Sequence, residues 1–219
     1  MKLLIANKNY STWSLRPWLL MRHAGIPFEE ELIDFNAADF KDRVKQYSGA
    51  GKVPVLVDGE LVVWDSLAIA EYIAEKFPEK GLWPHAVPAR AVARSVCAEM
   101  HSGFQEMRSR LVMNLQVRFT SVLLHKNARR DVSRVIEIWR DCRQRFGADG
   151  PFLFGRFSVA DAFFAPVTVR FTTYAIDLPA VARDYVATIQ ALPAMQEYIA
   201  AARTETSFVE SDEPYREAP

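Results

Sequence analysis

The stretch that decides the fold runs from residue 51 to residue 73 and reads Gly51-Lys-Val-Pro-Val-Leu-Val-Asp-Gly-Glu-Leu-Val-Val-Trp-Asp-Ser-Leu-Ala-Ile-Ala-Glu-Tyr-Ile73. Two short apolar runs flank Asp58-Gly59, a dipeptide that favours the positive φ angles of a tight hairpin. Asp65-Ser66 then offers two good helix N-caps, and apolar residues at helical spacing follow. The stretch therefore predicts a proline, a strand, a hairpin, a second strand, a cap and a helix.

This order of elements can build a binding site for a peptide-like ligand. Pro54 opens a strand, so the backbone of Val53 before it stays free to pair with something other than the sheet. The helix N-terminus at Ser66 offers unpaired N–H groups that bind a carboxylate. The same residues also fit an ordinary hairpin and capped helix, and both interpretations stay open on this stretch alone.

The composition limits the class of protein. The chain has 219 residues, of which 50% are hydrophobic, enough for one large domain or two small ones. Its formal net charge is zero, which argues against a protein that coats nucleic acid or an anionic membrane. We expect no membrane span, because no apolar run approaches ~18 residues, and no signal peptide. Cys97 and Cys142 are expected to be reduced, buried thiols in a cytoplasmic protein.

The N-terminal part alternates strand and helix patterns. Lys2–Ala6 is a strand candidate, and a helix should follow that ends at Gly25. Pro17 is best tolerated in a first turn, so this helix should not begin much before Trp13. A weaker strand at Glu30–Asp34 and a short helix lead to the stretch described first. The order β-α-β-α-β-β-α predicts an α/β domain with a four-stranded mixed sheet and helices on both faces.

A change of pattern after residue 78 marks a second domain. The segment Pro78–Pro88 carries three prolines and a glycine, which cannot continue a helix. Apolar residues then recur at helical spacing from Val92 to Leu115 and from Val132 to Phe146, which predicts one long amphipathic helix over each stretch. A helix at Ala162–Phe171 is apolar nearly all round and belongs in the middle of a bundle. We assign residues 1–78 to an α/β domain, 79–87 to a linker and 88–219 to an all-α domain.

A helix-capping pattern precedes that apolar helix. Ser158 can cap the first turn, while Asp161 returns a hydrogen bond to the backbone of the cap. This is a capping box with Asp in place of Glu, and we predict a structural role for both residues.

Four blocks of sequence together resemble the cytosolic glutathione transferases over nearly the whole chain. They are Tyr10-Ser11-Thr12-Trp13-Ser14-Leu15-Arg16, Gly51-Lys52-Val53-Pro54, Asp65-Ser66-Leu67-Ala68-Ile69 and Phe157-Ser158-Val159-Ala160-Asp161. The resemblance implies a thioredoxin-like N-terminal domain with a cis peptide bond before Pro54, and an all-helical C-terminal domain. It also implies a cytoplasmic homodimer with glutathione as co-substrate and an electrophile bound between the domains.

The resemblance also implies which residues bind glutathione. Val53 would pair with the backbone of the glutathione cysteine. Ser66 and its helix N-terminus would take the γ-glutamyl carboxylate, and Asp65 would take the ammonium group. Lys52 is a candidate for the glycine carboxylate, with a solvated surface lysine as the other interpretation. Gln105 ends the segment His-Ser-Gly-Phe-Gln, which resembles the segment whose glutamine reaches glutathione in zeta-class members.

A hydroxyl near the start of the first helix should activate the thiol. Ser11 matches the first serine of the zeta-class pattern Ser-Ser-Cys-Ser-x-Arg when Arg16 is aligned with its arginine. Thr12 and Ser14 are alternatives, and Tyr10 is a rival because other classes use tyrosine. Lowering a thiol pKa of about 8.5 by ~2 requires roughly 2.7 kcal/mol of thiolate stabilisation. A hydroxyl donor plus a helix N-terminus can supply free energy of this order.

The chain departs from the zeta-class pattern, and three functions stay open. Trp13 replaces the motif cysteine, which would reshape a pocket tuned to a small diacid, and Thr12 replaces the second serine. The first function is a glutathione S-transferase of the serine type. The second is a glutathione-dependent isomerase of the maleylacetoacetate type or a dehalogenase, and the third is a non-catalytic interaction protein. No metal, nucleic acid or membrane partner is implied, and the four histidines lack ligand spacing.

Overall fold

One helix, α1 (Thr12–His23), lies between a sheet and a helical bundle in the computed structural model of the chain, which describes residues 1–120 and 122–216. The four strands of the sheet, in the order β2-β1-β3-β4, are β1 (Lys2–Ile5), β2 (Glu29–Leu32), β3 (Val55–Asp58) and β4 (Leu61–Trp64). Strand β1 pairs parallel with β2 and antiparallel with β3, and β3 pairs antiparallel with β4. The predicted mixed sheet is confirmed.

Alternate residues of the central strands face two different layers. Leu3 and Ile5 belong to the large core that contains α1 and α3 (Ser66–Lys76). Leu4 and Val55 instead pack with Val44 of the short helix α2 (Phe40–Lys45). Side chains along a strand point to opposite faces in turn, so the sheet is covered by helices on both sides. This is the thioredoxin-like half of the predicted fold.

The second half is a bundle of helices around a central one. Its members are α4 (Val87–Ser102), α5 (Gln105–Arg110), α6 (Lys126–Phe146), α7 (Val159–Thr173), α8 (Ala180–Gln190) and α9 (Pro193–Arg203). All residues of α7 except Thr172 are buried, as its all-round apolar sequence predicts. The helix contacts α1, α4 and α8. The predicted all-α C-terminal half is confirmed, and within the described residues no helix is long and apolar enough to cross a bilayer.

The prediction of one helix from Val92 to Leu115 is wrong. Helix α4 ends at Ser102, α5 is a separate short helix, and residues 111–120 and 122–125 are irregular. Gly103 leaves the helical conformation, and a Cβ there would lie 2.8 Å from the carbonyl oxygen of Glu99. Phe104 then takes a left-handed conformation with φ 63°, which a helix cannot continue through. Apolar spacing alone did not reveal this break.

Asp161 is a buried carboxylate that accepts four hydrogen bonds. Its Oδ2 accepts from the Ser158 N–H at 2.8 Å, which is one arm of the predicted capping box, and also from the Ser158 hydroxyl at 3.0 Å. Its Oδ1 accepts from the Leu153 N–H and the Tyr185 hydroxyl, both at 3.1 Å. Burial raises the pKa of Asp161 to about 6. The residue joins the start of α7 to the preceding loop and to α8.

We expect Asp161→Ala to lower the free energy of unfolding by about 2–4 kcal/mol, because it removes a cap and leaves buried donors unpaired. Urea denaturation measures the change. Asp141→Ala is the control, since it removes an exposed partner of Arg145 on α6 and should cost less than about 1 kcal/mol. Equal denaturation midpoints for both variants would contradict the structural role of Asp161.

Candidate functional site

A cleft beside the Val53-Pro54 bond brings together all but one of the residues predicted to bind glutathione. It has a volume of about 230 Å³ and is lined by Trp13, Ala50, Lys52, Val53, Pro54, Trp64, Asp65, Ser66 and His101. Five residues predicted to bind glutathione therefore share one cleft. Two larger hollows along α4 and α6 contain none of the predicted site residues.

The peptide bond between Val53 and Pro54 is cis, as the resemblance implies. Strand β3 begins only at Val55, where the register with Leu4 of β1 and Trp64 of β4 starts. Val53 therefore lies outside the hydrogen-bonded sheet and at the wall of the cleft. Its backbone N–H and C=O are placed to pair with an extended ligand, in the manner of an added strand.

Asp65 holds a backbone conformation that non-glycine residues rarely adopt, with φ 75° and ψ 132°. Its Oδ1 accepts a hydrogen bond from the Leu67 N–H at 2.8 Å and so caps α3. Its Oδ2 lies 3.3 Å from Nε2 of His101 on α4. Backbone strain of this kind costs about 1–3 kcal/mol and clusters at binding sites. Asp65 thus connects the two halves of the chain across the cleft.

The Ser66 hydroxyl is a buried polar group without a protein partner. The residue is 1% exposed, and its Oγ forms no hydrogen bond to residues 1–120 or 122–216. It stands on the first turn of α3, where backbone N–H groups have no partner inside the helix. An unpaired buried hydroxyl costs about 1–3 kcal/mol. The hydroxyl and the helix N-terminus together fit a carboxylate such as those of glutathione.

Ser11 and Ser14 form a hydrogen-bonded pair at the start of α1. The Ser11 hydroxyl donates to Ser14 Oγ at 2.7 Å and accepts from the Ser14 N–H at 3.3 Å. Ser14 Oγ also accepts from the Ala6 N–H at 3.2 Å. Both serines are buried and do not line the cleft, whereas Trp13 between them in sequence forms part of its wall. Since each hydroxyl can donate or accept, a reversal of the pair leaves the Ser11 proton free for an anion.

The other two hydroxyl candidates differ in their surroundings. Thr12 is buried as the first residue of α1 and, like the serines, is not part of the cleft wall. The hydroxyl of Tyr10 donates to Glu213 Oε1 at 2.8 Å, in the C-terminal segment. Burial, together with the Glu213 carboxylate, raises the pKa of Tyr10 to about 12. The Tyr10 hydroxyl therefore stays neutral and already donates its hydrogen bond to a carboxylate. This arrangement does not fit the role of thiol activator.

Gln105 does not reach the cleft. It is the exposed first residue of α5, beyond the left-handed turn at Phe104. His101, four residues earlier in the same segment, lines the cleft instead. Its ring meets that of Trp13 edge-on, with the centroids 5.3 Å apart. The interruption between α4 and α5, which the apolar periodicity did not predict, separates His101 from Gln105.

Sequence reasoning did not assign a role to two arginines that flank Trp13. The guanidinium carbon of Arg16 lies 4.2 Å from the Trp13 ring centroid and 4.6 Å from that of Phe163 on α7. Arg108 lies 4.7 Å from the Trp13 ring. All three distances are within the range of cation–π attraction. The spacing of Trp13 and Arg16, three residues apart on one helix, is the sequence signal that could have shown the first contact.

Arg16 is buried without a hydrogen-bond partner for its side chain. The residue is 1% exposed, and none of its three guanidinium nitrogens is bonded within the described ranges. Burial, and then the charge of Arg108, lower its pKa well below the ordinary value. The positive charges behind Trp13 make this end of the cleft favourable for an anion.

No group of three His, Cys, Asp or Glu side chains is close enough to hold a metal ion in the part of the chain that the structure describes. The components of an organic anion site are present instead in three features of the cleft: a backbone edge at Val53, an unpaired hydroxyl on a helix N-terminus, and arginines packed on Trp13.

Two protein-family models match the chain. The glutathione S-transferase N-terminal domain matches residues 10–76, and the glutathione S-transferase C-terminal domain matches residues 124–201. The two matches together cover more than half of the sequence and fall on the two halves of the structure. The chain belongs to the glutathione S-transferase family.

The curated relatives show similarity over part of their length. A dichloromethane dehalogenase of Methylorubrum extorquens is 44% identical over 68 residues, which are 29% of this chain and 23% of the relative. A probable maleylacetoacetate isomerase of Caenorhabditis elegans is 31% identical over 104 residues, 48% of each chain. The chain therefore matches less than half of the length of either protein.

Solved structures share the whole fold at low identity. A bacterial maleyl pyruvate isomerase, a zeta-class glutathione S-transferase, has a TM-score of 0.74 at 20% identity, over 94% of this chain and all of that one. A glutathione transferase homolog from Burkholderia, with bound glutathione, has a TM-score of 0.69 at 20% identity, over 93% and 98%. The relatives thus include zeta-class members, as the sequence resemblance implies.

We expect the imidazole of His101 to titrate below its ordinary pKa of 6.5, because burial disfavours its charged form. Asp65 raises this pKa and the nearby Arg16 and Arg108 lower it, so Asp65→Asn should lower it further. NMR titration of the histidine ring protons measures both values, with His101→Gln to identify the signal. A pKa that rises in Asp65→Asn would contradict the 3.3 Å contact. Because the folded chain binds this proton less tightly than the unfolded chain, stability should fall as the pH drops below about 6.5.

Proposed function

We propose that this protein is a glutathione transferase that binds glutathione in the cleft and stabilises its thiolate for attack on a small electrophile. The observation that carries the proposal is the buried, unpartnered Ser66 hydroxyl on the first turn of α3, in the same cleft as the backbone edge at Val53. A tripeptide with a carboxylate at one end of an extended backbone matches both features. The glutathione bound to the Burkholderia homolog supports this choice of ligand.

Each end of glutathione has a complementary group. The extended backbone of the cysteine pairs with Val53, and the γ-glutamyl carboxylate binds Ser66 and the N-terminus of α3. Asp65 has one carboxylate oxygen that does not cap the helix and faces His101, and this oxygen takes the γ-glutamyl ammonium. The exposed side chain of Lys52 takes the glycine carboxylate. Gln105, which lies away from the cleft, is not part of the proposal.

The thiol is activated at the start of α1. Ser11 donates its proton to the sulfur while its oxygen accepts from the N–H and the hydroxyl of Ser14, so the donor is polarised. The N-terminus of α1 and the positive charge of Arg16 add to the preference for the anion. The thiol proton leaves to solvent, the sulfur lone pair forms a bond to the electrophilic carbon, and the leaving group departs with the electrons of its bond.

Dehalogenation is the second candidate, because the dehalogenase is 44% identical over the matched 68 residues. Dehalogenation by this protein would follow the same nucleophilic displacement at carbon, with halide as the leaving group. Isomerisation is favoured by the zeta-class relatives, but Trp13 with its two arginines narrows the space beside the sulfur. Assays of chlorinated alkanes, chlorinated aromatics and maleyl compounds distinguish these activities. The homodimer and the cytoplasmic location stay predictions.

Calorimetric titration with glutathione tests the proposal, and Ser66→Ala tests the carboxylate contact. Wild-type protein should bind at one site per chain. Ser66→Ala should weaken binding by about 1.5–3 kcal/mol, the usual contribution of a hydrogen bond to a charged group. Ser95→Ala is the control, because it removes an exposed hydroxyl on α4 that bonds its own helix. No binding by wild-type protein at millimolar glutathione would refute the proposed function and favour the non-catalytic alternative.

Ser11→Ala should leave the Kd for glutathione within severalfold and raise the pKa of the bound thiol by about 1–2, the scale of a charge-assisted hydrogen bond. The ultraviolet absorbance of the thiolate, followed against pH, measures this pKa, and turnover at neutral pH should fall with it. Ser11→Thr keeps a hydroxyl and should retain part of the activation. A fully active Ser11→Ala beside an inactive Tyr10→Phe would reassign the donor to Tyr10.

A further inference from the structure

The loop that precedes Ser11 is held by the C-terminal segment of the chain. This loop, residues 7–11, connects β1 to α1, and the segment after α9, residues 205–216, is called the strap here. The two lie about 200 residues apart in sequence, yet Glu205 accepts hydrogen bonds from the backbone N–H groups of Lys8 at 2.6 Å and of Asn9 at 3.1 Å. One carboxylate thus holds two successive amides of the loop.

A second carboxylate of the strap holds the side chain next to Ser11. Glu213 is 4% exposed, and its Oε1 accepts from the Tyr10 hydroxyl at 2.8 Å. The same oxygen accepts from Asn114 Nδ2 at 2.8 Å and from Arg216 Nη1 at 3.0 Å. The strap and the irregular segment after α5 therefore meet at a single buried atom. A charged acceptor with several donors holds its neighbours more firmly than a lone neutral bond.

Further bonds fix the loop on its remaining sides. Asn9 Oδ1 accepts from the Leu115 N–H at 2.7 Å, and Asn7 Oδ1 accepts from the Phe35 N–H at 2.7 Å. Asp34 accepts from Asn7 at 3.0 Å and from the Ser207 hydroxyl of the strap. Within the loop, the Ser11 N–H donates to Asn7 O at 2.8 Å. The backbone position of Ser11 is therefore set by contacts made through its neighbours.

We infer that the strap is part of the thiol-activating site, with Tyr10 and Glu213 as positioning residues that hold Ser11 toward the sulfur. This inference rests on the proposed function. Neither side chain touches the cleft, so their effect on the reaction passes through the loop. The hydroxyl-to-sulfur bond depends steeply on distance and angle, and a displacement of the order of 1 Å is enough to weaken catalysis.

Positioning of Ser11 and simple stabilisation of the fold have different measurable effects. A contact that only stabilises the fold lowers the free energy of unfolding and leaves the properties of the folded site unchanged. A contact that positions Ser11 changes the pKa of the bound thiol in the folded complex. The pKa of the glutathione thiol in the complex is therefore the decisive measurement, and the Kd serves as its reference.

The experiment compares Tyr10→Phe, Glu213→Ala and Glu213→Gln with wild-type protein. Tyr10→Phe and Glu213→Ala should raise the pKa of the bound thiol by about 0.5–1 and lower turnover by about 3- to 10-fold, the effect of one loosened hydrogen bond. The Kd should stay within about threefold, because the groups that bind the γ-glutamyl end lie on α3, away from the strap. Glu213→Gln keeps an acceptor for Tyr10 and should lie between wild type and Glu213→Ala.

Tyr215→Phe is the matched control within the strap. The Tyr215 hydroxyl donates to Arg110 O at 3.0 Å on α5 and makes no bond to the loop. The pKa of the glutathione thiol bound to Tyr215→Phe should therefore equal that in wild-type protein. The double variant Tyr10→Phe with Glu213→Ala should raise the thiol pKa no more than the larger single change, since both remove the same contact.

Two outcomes overturn the inference, and they differ in whether the proposed function survives. Unchanged thiol pKa values in Tyr10→Phe and Glu213→Ala, with normal glutathione binding, would limit the strap to a structural role and leave the proposed function intact. Absence of glutathione binding in wild-type protein would refute the proposed function and the inference with it. A raised thiol pKa in both variants with a constant Kd supports the inference.

Discussion

The packing of α1 against α7 is the contact on which the rest of the structure depends. Helix α1 is buried by the sheet on one side and by α7 on the other, so it belongs to both halves of the chain. Arg16 lies between Trp13 of the same helix and Phe163 of α7. A change in the angle between the two helices would therefore move a wall of the cleft. The capping box of Asp161 matters for this reason, because it fixes where α7 begins.

The formal net charge of zero does not show where the buried charges of the chain lie. Arg16 and Arg170 are buried, and burial lowers the pKa of Arg170 to about 9. Arg170 donates to the carbonyl oxygens of Arg108 and Leu111, whereas Arg16 contacts aromatic faces. The buried carboxylate of Glu213 lies in the strap and is hydrogen-bonded to Tyr10 of the loop before Ser11. A net charge of zero is a sum over all residues of the chain. It therefore gives no indication of the electrostatic field at the cleft.

Local patterns predicted most of the fold and part of the site. The hairpin, the caps at Asp65 and Ser158, and the apolar α7 each have a signature within a few residues, because turns, caps and amphipathic faces depend on near neighbours. His101 and Glu213 have no such signature, since their roles depend on partners brought together by the fold, and for Arg16 only the contact with Trp13 has a local signal, the three-residue spacing on one helix. The polar, acidic segment that forms the strap has no apolar periodicity, so its hydrogen bonds to the loop before Ser11 leave no sequence pattern to detect. The break at Gly103 was missed for a related reason: a single glycine inside an apolar repeat does not by itself show a left-handed turn.

The distance in sequence between the strap and the loop has a consequence for biosynthesis. Lys8 and Asn9 are translated about 200 residues before their partner Glu205, and Tyr10 precedes its partner Glu213 by a similar distance. The sheet and α1 are encoded early and can begin to fold on the ribosome, since domains generally fold as units with the N-terminal one first. The loop before Ser11 gains its two carboxylate partners only after α9 has emerged. A nascent chain therefore holds the residues that line the cleft, the last of which is His101, before it holds the two carboxylates that fix the loop before Ser11.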